Sequence, residues 1–172
     1  MSIVLIGYRG SGKTTIGKLL ARRLGQNFLD TDELIVKRAG KTIKQIFEDE
    51  GEARFRDIEA DVVKQVLLLD EHVLSMGGGV VVRPENRAAL KAHAPNRVFY
   101  LRCDPTMLYH RIMADPKTAE TRPALTKLSG SPEEIAQLLE VRQPLYREVM
   151  TAEIDVTRVT PEEVVAEIVA MM

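Results

Sequence analysis

Lys13, Thr14, Asp30 and Asp32 are side chains suited to handling phosphate, and two of them sit in one short motif. Gly7 to Thr15 reads GYRGSGKTT. It fits G-x-x-x-x-G-K-[ST], with the apolar run Ile3 to Ile6 before it and Ile16, Leu19, Leu20 and Leu24 at helical spacing after it. Glycines such as Gly10 and Gly12, with Ser11 between them, let backbone N–H groups turn inward and cradle phosphate oxygens. The first helical turn, with Thr14 and Thr15, adds unpaired N–H groups and the positive end of the helix dipole. Lys13 is placed to reach the β- and γ-phosphates, and the Thr14 hydroxyl suits Mg²⁺. A glycine turn that binds nothing is the alternative, and the flanking strand and helix weigh against it. The motif alone does not separate a kinase from an ATPase or a switch GTPase.

The acceptor side is less explicit. Asp30-Thr31-Asp32 ends an apolar segment, and carboxylates two apart on extended chain point the same way. One can hold Mg²⁺ through water while the other takes a proton from an attacking hydroxyl. Equally, Asp32 can simply cap the next helix. Arg56 and Glu59 stand three apart on a helical pattern. They form either a solvated ion pair or a guanidinium held for a substrate carboxylate, a task that bidentate Arg suits. Gly77-Gly78-Gly79 is either a loose turn or backbone that must approach a ligand closely. Arg122 and Arg142, taken singly, read as solvated charges.

The elements that must position these groups alternate. Strands are predicted at Ile3 to Ile6, Asn27 to Asp30, His72 to Met76, Arg97 to Arg102 and Glu153 to Val156. Helices are predicted over 31–39, from a Thr42/Gln45 capping box, from near Gly51 along Phe55, Ile58, Val62, Val66 and Leu69, and from Pro84 to about His93. Further helices start at Asp104-Pro105, Ser131-Pro132 and Thr160-Pro161. Such alternation implies an α/β fold: a five-stranded parallel sheet between two helical layers. Residues 115–130 are polar and aperiodic, the expected mobile loop.

Composition bounds the rest. The chain has 172 residues, the size of one domain, and a net charge of −1, which argues against a nucleic-acid or polybasic membrane surface. A single cysteine, Cys103, excludes an internal disulfide and fits a reducing compartment. Cys103 is read as a small, partly buried residue. No secretory signal is readable, so a cytoplasmic protein without a membrane partner is expected.

Taken together, GYRGSGKTT, FLDTD, F-x-x-x-G-E-x-x-F-R at 47–56, GGG at 77–79, Arg122-Pro123 and R-x-P-L-Y at 142–146 resemble shikimate kinase over nearly the whole chain. The resemblance implies a single P-loop kinase domain over 1–172, like the nucleoside monophosphate kinases, with a mobile lid near 115–127 and a substrate-binding helical segment near 31–60. It implies transfer of the γ-phosphate of ATP to the 3-hydroxyl of shikimate, on the route to chorismate and the aromatic amino acids. Lys13 would contact the transferred phosphate, with Thr14 binding Mg²⁺ and Asp30 holding it indirectly. Asp32 would bind substrate hydroxyls and act as base. Arg56 and Arg142 would grip the carboxylate beside Gly78 and Gly79, with Gly77 close to a ring hydroxyl. Phe47 and Phe55 would wall the ring, Arg122 would close with the lid, and Arg111 and Pro161 would sandwich adenine. A monomer is the family expectation. Met76 and Ala124 depart from the family's frequent Thr and Leu, and Arg9 adds a charge with no assigned role. Gluconate kinase, nucleoside monophosphate kinase and a non-catalytic nucleotide switch are the rival readings.

Overall fold

The computed structural model describes residues 2–92, 97–115 and 131–172. Arg122, Ala124 and all but the first residue of the expected lid lie outside the described residues.

Five strands form one parallel sheet: β1 (Ile3–Ile6), β2 (Asn27–Asp30), β3 (His72–Ser75), β4 (Arg97–Arg102) and β5 (Ala152–Asp155), in the order β2-β3-β1-β4-β5. β1 is wholly buried, which is why it reads as an unbroken aliphatic run. β5 begins and ends one residue earlier than its apolar pattern predicts. It is an edge strand, so only its inward residues carry that pattern.

Seven α-helices are described: α1 (Lys13–Leu24), α2 (Thr31–Ala39), α3 (Ile43–Val66), α4 (Pro84–Ala92), α5 (Pro105–Ala114), α6 (Pro132–Val149) and α7 (Pro161–Ala170). They flank the sheet in three α/β/α layers, with α1 against β3 and α7, and α4 against α3 and α6. Their starts are set by short polar side chains. Thr42 and Thr160 form reciprocal capping boxes with Gln45 and Glu163, while Asp104 and Ser131 accept bonds from first-turn N–H groups. α3 breaks at Gly51, where φ is 85° and ψ 168°. The helix expected from the Thr42/Gln45 capping box and the one expected from near Gly51 are therefore both present, joined across a kink at that glycine.

Register fixes the site. Asp30 pairs with Ser75, so the ends of β2 and β3 stop level with each other. The phosphate loop leaves β1 where β1 is flanked by β3 on one side and β4 on the other. Ligand crevices of open parallel sheets lie at the carboxyl ends of strands, at such a point.

Candidate active site

The phosphate loop meets its helix at Gly12, whose φ of 90° a side chain would strain. Lys13 is buried, and its Nζ donates to the carbonyls of Gly7 at 2.8 Å and Tyr8 at 2.9 Å. Thr14 Oγ1 donates to Asp30 Oδ2 at 2.9 Å. Ser75 Oγ donates to the same oxygen at 3.0 Å, and the Asp32 N–H donates to Asp30 Oδ1 at 3.0 Å. Asp30, not Asp32, is thus the cap of α2. That leaves Asp32, in the first turn, to present its carboxylate to the crevice.

The glycine run is an ordered element. The Gly77 N–H donates to Thr31 Oγ1 at 3.0 Å, and a 3₁₀ turn, Val80–Val82, follows. A Cβ on Gly77 would lie 2.6 Å from Asp32 Oδ1 and 3.2 Å from Glu59 Oε1. A Cβ on Gly79 would lie 2.4 Å from Arg56 Nη1. Absent side chains let Asp32 and Arg56 press directly on this backbone.

Arg56 and Glu59 are not a solvated pair. Arg56 is 9% exposed and Glu59 1%. Arg56 Nη1 donates to Glu59 Oε2 at 2.8 Å, and Nη2 reaches Glu52 at 3.3 Å. Burial pushes the Glu59 carboxyl up; Arg56 beside it pulls it back, Asp32 pushes it up, and Arg142 lowers it. Glu59 is bonded to Arg56 and flanks Gly77 together with Asp32, so these three side chains gather at the glycine run. Its Oε1 has no hydrogen-bond partner among the described residues. Such a buried pair is retained at a desolvation cost that points to a task other than stability. Phe55 carries the Arg56 guanidinium 5.1 Å from its ring centroid and packs on Phe47 at 4.9 Å.

A cavity of about 700 Å³ is lined by Arg9, Gly10 and Gly12 to Thr15 of the phosphate loop, with Asp30, Asp32, Ser75, Met76, Gly78 and Arg111. Phe47, Phe55, Arg56, Gly77, Gly79 and Arg142 are not in its lining. A smaller hollow of about 260 Å³ joins Ser11, Gly12 and Thr15 to Arg111 and Pro161. Arg111 is anchored there by Nη2 donating to the Val156 carbonyl at 2.9 Å. Cys103 is more buried than expected, and burial raises its thiol.

Sequence reasoning missed Thr31, Ser75, Tyr8 and Tyr146. Ser75 was legible only as a hydroxyl at a strand end; its contact with Asp30 spans 45 residues of chain. Met76, where the family often has Thr, is buried, and the hydroxyls bonded to Asp30 come from Thr14 and Ser75. Among the described residues no helix is long and apolar enough to cross a membrane, and no group of three His, Cys, Asp or Glu could hold a metal ion.

Comparison with known proteins follows this geometry. The shikimate kinase family model matches residues 9–172. The shikimate kinase of Thermodesulfovibrio yellowstonii is 41% identical over 168 residues, 98% of this chain and 92% of the relative. That of Streptococcus gordonii is 43% identical over 169 residues, covering 98% of each. The solved shikimate kinase of Acinetobacter baumannii in complex with shikimate superposes with a TM-score of 0.90 at 34% identity, over 99% of this chain and 91% of that one. A match of this extent, on a chain whose phosphate loop and Asp32 line one crevice, is to more than a shared fold: the chain belongs to the shikimate kinase family.

Proposed function

We propose that this protein transfers the γ-phosphate of ATP to the 3-hydroxyl of shikimate, giving shikimate 3-phosphate and ADP on the route to aromatic amino acids. One observation carries the reading: the phosphate loop and the Asp32 carboxylate in the first turn of α2 line one cavity, and a buried Arg56, bonded to Glu59 and pressed on Gly79, stands beside the glycine run that Asp32 also adjoins. That set matches a phosphate donor on one side and a small hydroxylated carboxylate on the other.

Each residue has a part. Gly10, Ser11, Gly12 and Thr15 cradle the phosphates, and Lys13 turns its ammonium from the loop carbonyls to the γ-phosphate. Asp32 orients the 3-hydroxyl and accepts its proton as the oxygen bonds to phosphorus and the bond to the ADP oxygen breaks. Arg56 and Arg142 grip the carboxylate, with Gly78 and Gly79 offering N–H donors. Gly77 leaves room for a ring hydroxyl, and Phe47 and Phe55 back the ring. Arg111 and Pro161 enclose adenine in the smaller hollow. Arg122, on a lid assigned to 115–127, adds positive charge and helps exclude water.

The donors fit Mg²⁺. A buried carboxylate and a hydroxyl 2.9 Å apart, Asp30 and Thr14, suit an ion held by few protein oxygens and completed by phosphates and water. Bound there, the ion would neutralise charge on the transferring phosphate. A single cytoplasmic monomer suffices for the reaction.

ADP release with Mg²⁺-ATP, with and without shikimate, tests the reading, with gluconate and nucleoside monophosphates as parallel acceptors. Strong stimulation by shikimate alone is expected. Stimulation by another acceptor, or ATP binding without turnover on shikimate, refutes it.

A further inference from the structure

The roles above leave the buried hydroxyl of Tyr146 unused. Tyr146 lies on α6, one turn after Arg142, and is fully buried. Its ring stacks on Tyr100 of β4, with centroids 4.7 Å apart and planes 19° from parallel. Its hydroxyl donates to the Gly78 carbonyl at 2.5 Å, a contact across 68 residues. Burial pushes this phenol up, and the charge of Arg142 tempers the rise. Arg142 and Tyr146 are four apart on α6 and share one face of it, so the bond to Gly78 ties the Arg142-bearing turn of the helix to the glycine backbone. A phenol can make that bond; no apolar ring can.

Arg142 also lies over the Tyr8 ring, 5.6 Å from its centroid. Its guanidinium therefore rests against the phosphate loop at Tyr8. On the next residue, Gly79, the backbone meets Arg56, which Glu59 fixes from α3. Two arginines on different helices are thereby referred to one short piece of backbone: Arg56 by contact at Gly79, Arg142 through Tyr146 at Gly78. A planar carboxylate needs both forks at a set spacing, and such bidentate bonds weaken steeply with misalignment.

We propose that Tyr146 is a positioning residue: its hydroxyl sets the gap between Arg142 and the Gly78-Gly79 backbone, and so the width of the carboxylate-binding cleft. The proposal rests on the acceptor reading given above. Tyr146 touches no substrate and acts through Arg142.

The test is steady-state kinetics on wild type, Tyr146→Phe, Arg142→Ala and the double variant, with shikimate and ATP varied separately. Phe keeps the ring and its stack on Tyr100, so folding is expected to hold. For Tyr146→Phe, a roughly tenfold rise in shikimate KM is expected, with kcat and ATP KM within about twofold of wild type. In the Arg142→Ala background the same change should add less than about twofold. For a variant of lowered stability, the rise in Tm on adding shikimate gives the same comparison. An unchanged shikimate KM, an equal rise in ATP KM, or a full repeat of the loss in the Arg142→Ala background overturns the proposal. Wild type that neither turns over nor binds shikimate overturns the acceptor reading and this proposal with it. Active wild type with an indifferent Tyr146→Phe overturns this proposal alone.

Discussion

Gly79→Ala isolates the carboxylate grip from the chemistry. The added methyl would sit 2.4 Å from Arg56 Nη1 and 2.5 Å from Nη2. Gly79 has φ −98° and ψ 6°, which an L-residue adopts without backbone strain. The whole conflict therefore falls on the guanidinium, the far end of a flexible side chain. Retreat to ordinary contact at 3.4 Å moves it by about 1 Å. That shift pulls on the 2.8 Å bond to Glu59 and takes Arg56 off line for the substrate. One charge-assisted hydrogen bond is worth about 1.5–3 kcal/mol, so shikimate KM should rise roughly 10- to 100-fold. Lys13 and Asp32 are untouched, so kcat and ATP KM should stay within about threefold. The side chain can yield, so stability should fall by about 1 kcal/mol, or roughly 2–4 °C in Tm. Coupled ADP-release assays and a thermal melt read all four quantities. A shikimate KM within about twofold of wild type would refute the assignment of Arg56. Gly77→Ala is the companion. Its methyl would lie 2.6 Å from Asp32 Oδ1, so the loss should appear in kcat as well as in KM.

Asp32→Asn should abolish most turnover and leave ATP binding intact, since the proton acceptor is lost and Lys13 is not disturbed; turnover near wild type would remove Asp32 from the mechanism. Arg142→Ala should raise shikimate KM far more than ATP KM, and equal rises would contradict its carboxylate role. Thr160→Ala removes the cap that accepts from the Glu163 N–H at 3.2 Å and should cost about 1 kcal/mol, read as a urea midpoint shift without loss of kcat. On the acid side, Thr157 holds the Asp155 carboxyl below its ordinary 3.8, and Lys91 holds Glu148 below its ordinary 4.5. Both carboxyls are depressed in the fold, so their stabilisation is present above those values and is lost as pH falls through and below them. The urea midpoint should thus decline below pH 4.5, and a midpoint that rises there would contradict the sign.

Much of this protein is local and therefore legible in its sequence. The phosphate loop is contiguous: its glycines, Lys13 and Thr14 follow one strand and open one helix, so spacing alone states the chemistry. Capping at Thr42, Asp104, Ser131 and Thr160 also needs only residues two or three apart. The buried run of β1 and the amphipathic helices carry the layered fold through their periods.

Tertiary structure decided what distance along the chain conceals. Spacing left Arg56–Glu59 open between a solvated pair and a built one, because burial depends on what packs over α3. Spacing also left Asp32 open between a functional carboxylate and the cap of α2; Asp30 is the cap, and the hydroxyls of Thr14 and Ser75, brought in from α1 and β3, hold it in place. Arg56 meets Gly79, and Tyr146 meets Gly78, only because α3 and α6 both pack against the glycine run that follows the carboxyl end of β3. Local rules fix the dihedrals and faces of each element. Which side chains then share a few ångströms is set by parallel register and packing, which short-range pattern does not encode.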